Sequence, residues 1–268
     1  NDGGLNRYDK QNHIFKRYKN DPKNPNRISS NAIYDIVEDY LGRLWIGTYD
    51  GGLNLYDPET DSFTQFINDT KNSNSLFHNT VYALKFDQTD TNVLWIATAN
   101  GGLDKLNIKT NKFTHICNDH KNPNRLGNAA VTSILENNDN ELWIGTDGGG
   151  VYVINKNGEV LAHLANDPNN SFSLSNNAIQ SIYKSKSGII WIGTDGGGIN
   201  KYAKNKRKFR HFKHQPNNEN SLSLNMVQSI YSDKKGNIWI GTWGGGLDRY
   251  NKHNKTFKHF RHNPNDPN

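Results

Sequence analysis

The chain has 268 residues and a formal net charge of +6, with 32 basic and 26 acidic residues interspersed along it. It shows no clustered basic run of the kind that predicts a nucleic-acid groove. It also has no stretch of about 20 apolar residues, the length that spans a bilayer. Aromatic residues make up 11% of the chain and glycine is frequent, which is typical of an all-β protein with many turns. Cys117 is the only cysteine, so no internal disulfide can form. The cysteine count therefore does not indicate the cellular compartment.

One short motif recurs along the whole chain. Leu44-Trp45-Ile46-Gly47-Thr48 is followed by Gly51-Gly52-Leu53-Asn54-Leu55-Tyr56-Asp57. The motif returns around Trp95, Trp143, Trp191 and Trp239, at spacings of 50, 48, 48 and 48 residues. A fixed period of this size indicates a repeat architecture rather than two unlike domains.

The predicted elements follow the repeat in chain order. Residues 1–26 supply the third and fourth strands of one blade, because Asp2-Gly3-Gly4-Leu5 matches Asp50-Gly51-Gly52-Leu53. Five complete blades then follow as residues 27–74, 75–124, 125–172, 173–220 and 221–268. Because this division starts at the third strand of a blade, it predicts an arc excised from a longer ring, or a ring completed in trans.

Residues 27–74 illustrate one blade. The predicted strands are Ala32–Val37, Arg43–Thr48, Leu53–Tyr56 and Phe63–Phe66, the last two alternating apolar and polar residues with period two. Turn residues separate them, and the polar segment Asn68–Asn74 leads to the next repeat. Four short antiparallel strands in about 48 residues are typical of one propeller blade. We therefore predict an all-β, β-propeller fold of four-stranded antiparallel blades: five complete blades plus a half-blade, as a single propeller segment.

The tryptophans and glycines have physical reasons for recurring. A large apolar side chain on the second strand is suited to filling the space between neighbouring blades. We expect this structural role for Trp45, Trp95, Trp143, Trp191 and Trp239. The glycine pairs predict turns with positive φ. Two blades differ in the first turn, where the second has two extra residues near Asp87–Asn92 and the third has Asn137–Glu141 without glycine.

The combined pattern resembles the two-component regulator propeller family. The residues that carry the resemblance, and their copies in later repeats, are Asn31-Ala32-Ile33, Ile36, Asp39, Gly42-Arg43-Leu44-Trp45-Ile46-Gly47-Thr48, Gly51-Gly52-Leu53-Asn54 and Tyr56-Asp57. The resemblance covers essentially the whole chain; Ala97 in place of glycine and the glycine-free middle turn depart from it. It implies a periplasmic sensor region, placed ahead of a membrane helix and a histidine kinase, and a response to products of glycan breakdown.

Candidate binding residues lie where the repeat varies. The turn after each Ile-Gly-Thr or Ile-Ala-Thr holds a different pair of residues, and loops on a rigid scaffold are where binding residues accumulate. Aromatic rings stack on sugar rings, and Asp or Asn side chains bind hydroxyl groups. The predicted ligand-binding residues are Tyr49, Asp50, Asn100, Asp147, Asp195 and Trp243, of which Trp243 is the strongest candidate. Packing over a neighbouring turn is the alternative for Trp243.

The loops that enter the first strands hold a second recurrent set. Strand parity predicts that these loops emerge on the same face as the variable turns. The set consists of Asn31, Asn79, Asn128, Asn177 and Asn225, for which turn formation is the favoured interpretation.

The sequence favours no catalytic or metal site. His115, His163, His211 and His259 recur on the outermost strand, which predicts a structural or surface role along the rim rather than a convergent cluster. Cys117 has no His or Asn partner at a recurrent spacing, so a nucleophile is disfavoured. The Asp147–Gly150 and Asp195–Gly198 runs lack the Lys and helix of a phosphate loop. We predict no enzyme activity, no cofactor and no metal.

Three functions stay open at this point. The leading hypothesis is a sensor that binds an oligosaccharide, alters its packing on neighbouring blades and biases a downstream kinase. The second is a protein-interaction or homodimerisation platform. The third is a propeller lyase, which would need His and Glu side chains converging on one face. Fold alone does not decide among them.

Overall fold

A computed structural model describes residues 3–100, 102–116, 126, 129–137, 140–203 and 208–262. These residues form strands joined by turns and loops, and no helix occurs among them. In chain order the strands are β1 (Leu5–Asp9), β2 (Ile14–Tyr18), β3 (Ile33–Glu38), β4 (Leu44–Thr48), β5 (Leu53–Asp57), β6 (Ser62–Phe66), β7 (Val81–Phe86), β8 (Val93–Thr98), β9 (Leu103–Asn107), β10 (Lys112–Ile116), β11 (Val131–Glu136), β12 (Leu142–Thr146), β13 (Gly150–Ile154), β14 (Val160–Leu164), β15 (Ile179–Lys184), β16 (Ile190–Thr194), β17 (Gly198–Ala203), β18 (Lys208–Phe212), β19 (Val227–Ser232), β20 (Ile238–Thr242), β21 (Gly246–Asn251) and β22 (Thr256–Phe260).

Consecutive strands pair in antiparallel order, as expected for propeller blades. The sheets β3-β4-β5-β6, β7-β8-β9-β10, β15-β16-β17-β18 and β19-β20-β21-β22 each have four strands, and β1 pairs with β2 alone. The prediction of an all-β fold built of four-stranded antiparallel blades and a half-blade is confirmed.

The chain divides into two compact units, residues 1–136 and 137–268. The boundary falls in the turn between β11 and β12. The third blade therefore contributes β11 to the first unit, and β12, β13 and β14, which pair in that order, to the second.

Each unit has its own apolar core, and the recurrent tryptophan lies in it. In the first unit, Trp45 packs with Leu76 and Val81 of the following blade and lies over the ring of Phe66, with centroids 5.6 Å apart. In the second unit, Trp191 packs with Leu222 and Val227 of its following blade. Burial between two blades accounts for the large apolar side chain at this position.

The first turn of a blade orients the tryptophan through a buried carboxylate. Asp39 accepts the backbone N–H groups of Leu41 at 2.9 Å and Arg43 at 3.0 Å. Its other oxygen accepts the indole N–H of Trp45 at 3.0 Å. Asp87 and Asp233 make the same indole bond at 3.1 and 3.0 Å. One aspartate thus closes the turn and satisfies a buried donor.

The recurrent asparagines hold the loops that connect the blades. The Asn31 side-chain oxygen accepts the backbone N–H of Asn20 at 2.8 Å. The equivalent bonds to Asn79, Asn177 and Asn225 measure 2.7, 2.6 and 2.6 Å. Asn128 lies outside the described residues. In these four blades the side chain has a backbone partner, which gives it a structural role in the loop.

Candidate functional site

All six predicted binding residues lie in the turn that joins the second strand of a blade to the third. Tyr49, Asp50 and Asn100 belong to the first unit, whereas Asp147, Asp195 and Trp243 belong to the second. The structure therefore provides two groups of turn residues, one in each unit.

These turns are held by backbone hydrogen bonds to the start of a first strand. The N–H of Tyr49 donates to the carbonyl of Ala32 at 3.0 Å, and the N–H of Trp243 donates to the carbonyl of Met226 at 2.9 Å. Asp195 makes the equivalent bond to Ala178 at 2.9 Å. Turns and first-strand entry loops therefore lie side by side within a blade, as strand parity predicts.

Glycine and left-handed residues shape the turns. Gly52 has φ of 75°, and a Cβ added there would lie 2.3 Å from the carbonyl oxygen of Phe66. Asp50 and Asn100 have φ of 54° and 59°, a region that Asp and Asn enter more readily than other side chains. This conformation gives Asp50 and Asn100 a structural reason for their positions, in addition to any contact with a ligand.

The two aromatic turn residues project into solvent. The Tyr49 side chain is 53% exposed and that of Trp243 is 60% exposed. Large aromatic side chains with this exposure on otherwise rigid turns are available for stacking on a ligand.

Two tyrosines that the sequence analysis did not select lie beside Tyr49. Tyr34 in β3 and Tyr82 in β7 stack with ring centroids 5.2 Å apart and an interplanar angle of 30°. Tyr49 meets Tyr34 edge-on at 6.1 Å and 85°. The three rings, called the tyrosine cluster below, come from two adjacent blades of the first unit.

A β-bulge accounts for the position of these rings. The register between β3 and β4 shifts between Ile33 and Asp35, which leaves Tyr34 without a cross-strand partner. The register between β7 and β8 shifts in the same way between Val81 and Ala83, which places Tyr82 at a bulge. A bulge changes the direction of one side chain and is over-represented beside active sites. The sequence signal was the variable residue after each Ala-Ile, Thr-Val, Ala-Val or Met-Val step, which is Tyr34, Tyr82, Thr132, Gln180 or Gln228.

The outer-strand histidines are engaged in hydrogen bonds. His115 donates through Nδ1 to Asp104 at 2.7 Å and through Nε2 to the carbonyl of Ser73 at 3.2 Å. His259 contacts Asp248 at 2.7 Å and the carbonyl of Glu219 at 2.8 Å in the same way. Both ring nitrogens of each histidine face acceptors, and only the imidazolium donates from both.

Electrostatics support this charge state. The hydrogen bond that His115 donates to the Asp104 carboxylate raises the pKa of His115, against the opposing effect of partial burial. Burial alone would lower the pKa of His259, but the bonds to Asp248 and to the Glu219 carbonyl outweigh it and raise the pKa. Burial in turn raises the pKa of Asp104. The hydrogen bonds that His115 and the Phe77 N–H donate to its carboxylate act in the opposite direction and lower the pKa.

The other two recurrent histidines contact backbone carbonyls. His211 donates through Nε2 to Ser173 at 2.8 Å, and His163 contacts the carbonyl of Gly149 at 2.7 Å while stacking on Tyr152. Among the residues that the structure describes, no group of three or more His, Cys, Asp or Glu side chains is arranged to hold a metal ion. Cys117 lies outside those residues.

A family model matches four stretches of the chain. The model is described as the two-component regulator propeller, and it matches residues 27–50, 125–148, 173–196 and 221–244. These four stretches are similar to the two-component regulator propeller. Each match begins at the loop entering a first strand and ends in the turn that holds the candidate residues. Each matched stretch of this chain therefore includes the bulge position and part of the variable turn.

Solved structures with the same fold include extracellular domains of bacterial signalling systems. The extracellular domain of the putative hybrid two-component system BT3049 from B. thetaiotaomicron is 27% identical, with a TM-score of 0.69 over 92% of this chain. The extracellular domain of the putative one-component system BT4673 from the same organism is 23% identical, with a TM-score of 0.58 over 97% of this chain. PorZ, a surface component of the type-IX secretion system of Porphyromonas gingivalis, is 17% identical, with a TM-score of 0.67 over 91% of this chain.

The similarities to BT4673 and PorZ support the fold alone. The chain spans 37%, 39% and 35% of the lengths of these three structures, in the same order. No curated protein sequence matches the chain. Within the described residues, no helix has the length and hydropathy needed to cross a membrane.

Proposed function

We propose that this chain is the extracytoplasmic sensor propeller of a two-component receptor and that it binds an oligosaccharide without transforming it. The four propeller repeats and the likeness to the extracellular domain of a hybrid two-component system support the sensor role. The observation that carries ligand binding is the exposure of aromatic side chains in the variable turns, at Tyr49 and Trp243. Aromatic rings with neighbouring Asp and Asn groups suit sugar rings and their hydroxyls.

The proposed signal begins at these turns. Each turn is bonded to the first strand of a blade, through contacts such as Tyr49 to Ala32 and Trp243 to Met226. A ligand that contacts the turns therefore acts on strands that also pack against neighbouring blades. Differential binding to two packing arrangements would bias a kinase located elsewhere in the parent protein.

A thermal-shift screen against neutral and acidic oligosaccharides, confirmed by calorimetry, tests this function. A binder stabilises the folded state by mass action, so we expect a saturable rise in melting temperature with at least one glycan class. Trp243→Ala is expected to weaken that binding. Tyr40→Ala is the matched control, because Tyr40 is 58% exposed but lies in the turn between β3 and β4. A folded protein that binds no glycan in the screen contradicts the proposal.

Protein interaction is the second candidate, favoured by a separate apolar surface. The β1–β2 hairpin exposes Tyr8, Ile14 and Phe15, with 45%, 59% and 72% of each side chain accessible. Exposed apolar patches of this kind mark contact sites. Light scattering over a concentration series should show self-association that Phe15→Ser removes; a concentration-independent monomer contradicts homodimerisation through this hairpin.

A further inference from the structure

The tyrosine cluster is a half-exposed, preorganised surface rather than part of a packed core. Tyr34 and Tyr49 are 49% and 53% exposed, although both make ring contacts. Desolvation, with a smaller contribution from Tyr49, raises the pKa of Tyr34, so its hydroxyl stays protonated and able to donate. A half-exposed aromatic group held by neighbouring rings loses little conformational freedom when a ligand binds.

Three structural elements fix the cluster. Tyr34 and Tyr82 occupy bulge positions in first strands of adjacent blades. Tyr49 follows β4, and its turn is held by the bond to Ala32 and by the Asp50 N–H, which donates to Thr80 Oγ1 at 3.2 Å. Thr80 precedes β7, so the turn of one blade is bonded to the entry of the next. The platform is therefore assembled across two blades.

The arrangement of the rings favours one ligand chemistry. Tyr34 and Tyr82 stack on each other, which leaves outer faces and edges rather than the open box that encloses a quaternary ammonium group. An outer face suits the C–H face of a pyranose ring, and the phenol hydroxyls suit its hydroxyl groups. The exposed carboxylate of Asp50, beside Tyr49, disfavours uronate or sulfate groups.

We infer that Tyr34, Tyr49 and Tyr82 form a stacking subsite for one pyranose ring of a neutral oligosaccharide, shared by two adjacent blades. This inference rests on the proposed function and specifies its ligand class and its contact residues. Tyr34 and Tyr49 are the exposed rings of the subsite, and Tyr82 stacks on Tyr34. Tyr49 lies against Tyr34 at an interplanar angle of 85° and contributes its hydroxyl.

Calorimetric titration with cello-, xylo-, manno- and galacto-oligosaccharides, and with oligogalacturonates as the acidic arm, tests the subsite. At least one neutral series should bind, and the oligogalacturonates should bind more weakly. Tyr34→Ala and Tyr49→Ala should each weaken the neutral ligand about tenfold, the order expected for loss of one aromatic contact. Tyr34→Phe should retain most of the affinity because the ring stays, and Tyr40→Ala should leave it unchanged.

The outcomes separate the subsite from the sensor function. Wild-type affinity in both Tyr34→Ala and Tyr49→Ala, with loss in Trp243→Ala, overturns the subsite and leaves the sensor proposal standing. Preferential binding of oligogalacturonates overturns the neutral ligand class. Absence of binding in every series contradicts the sensor proposal and the subsite together. If Tyr34→Ala does not fold, the ligand affinities of Tyr49→Ala and Tyr34→Phe test the subsite, because Tyr49 lies in an exposed turn.

Discussion

The fourth blade lacks a contact that three other blades have, and restoring it should stabilise the protein. Trp45 and Trp239 donate their indole N–H to an aspartate six residues earlier, Asp39 or Asp233. Ser185 occupies that position before Trp191, and the buried indole nitrogen of Trp191 has no hydrogen-bond partner. We predict that Ser185→Asp raises the free energy of unfolding.

The magnitude follows from two opposing contributions. A buried unsatisfied donor costs about 1–3 kcal/mol, and a hydrogen bond to a charged group contributes about 1.5–3 kcal/mol. Desolvation of the new carboxylate offsets part of this gain, as it does at Asp39, where burial raises the pKa but the bonds from Trp45 and Arg43 outweigh it and lower the pKa. A net stabilisation of about 1 kcal/mol is expected, with a rise in melting temperature of about 2–4 °C.

Equilibrium urea unfolding, followed by tryptophan fluorescence, measures the change. Ser187→Asp is the matched control, because Ser187 is an exposed residue of the same turn and receives the same charge. The converse variant, Asp39→Ser, gives the first blade the turn residue of the fourth and should cost about 2 kcal/mol. If Ser185→Asp is no more stable than Ser187→Asp, the carboxylate–indole contact does not stabilise the blade as argued.

The pKa of His115, the pKa of Asp233 and the backbone conformation of Gly52 each give a further prediction. His115 should stabilise the fold below its ordinary pKa of 6.5, and this contribution should disappear as pH rises through its raised folded-state pKa. The Asp104→Asn/His115→Gln double variant, which copies the neutral Asn54–Gln65 pair of the first blade, should therefore have a flatter melting-temperature profile above pH 6.5; an unchanged profile contradicts a charged His115. Bonds from Asn237 and Trp239 lower the pKa of Asp233 from 3.8 to about 2, so its stabilisation should disappear as pH falls through that interval. Acid titration of Asp233→Asn by circular dichroism should lack this component, and identical acid curves for the variant and wild type would argue against it. Gly52→Ala should destabilise by about 3 kcal/mol or more, since it combines positive φ with a backbone overlap at Phe66; a wild-type melting temperature would show that the turn relaxes.

The strands could be predicted because their signals are local. Alternation in Leu53–Tyr56 and the apolar Trp45 segment between turn residues identify strands without knowledge of neighbours. The observed β5 and β4, Leu53–Asp57 and Leu44–Thr48, differ from the predicted bounds by only one residue. The hydrogen bond from Trp45 to Asp39 was not predicted, because it depends on how the turn folds back over the second strand.

The tyrosine cluster was missed for a different reason. Parity assigns alternate residues of a strand to opposite faces, but a bulge breaks that alternation at Tyr34 and Tyr82. The pairing of Asp104 with His115 was available in principle. The two residues face each other across β9 and β10, 11 positions apart, and the same separation relates Asp248 to His259.

The central claim is that the tyrosine cluster binds a neutral oligosaccharide. Calorimetric titration of the wild-type chain and Tyr34→Ala, side by side with Tyr40→Ala, tests it most directly. We predict saturable binding by the wild type and Tyr40→Ala, and affinity about tenfold weaker in Tyr34→Ala. Equal affinity in all three proteins, or no binding by the folded wild type, would contradict the claim.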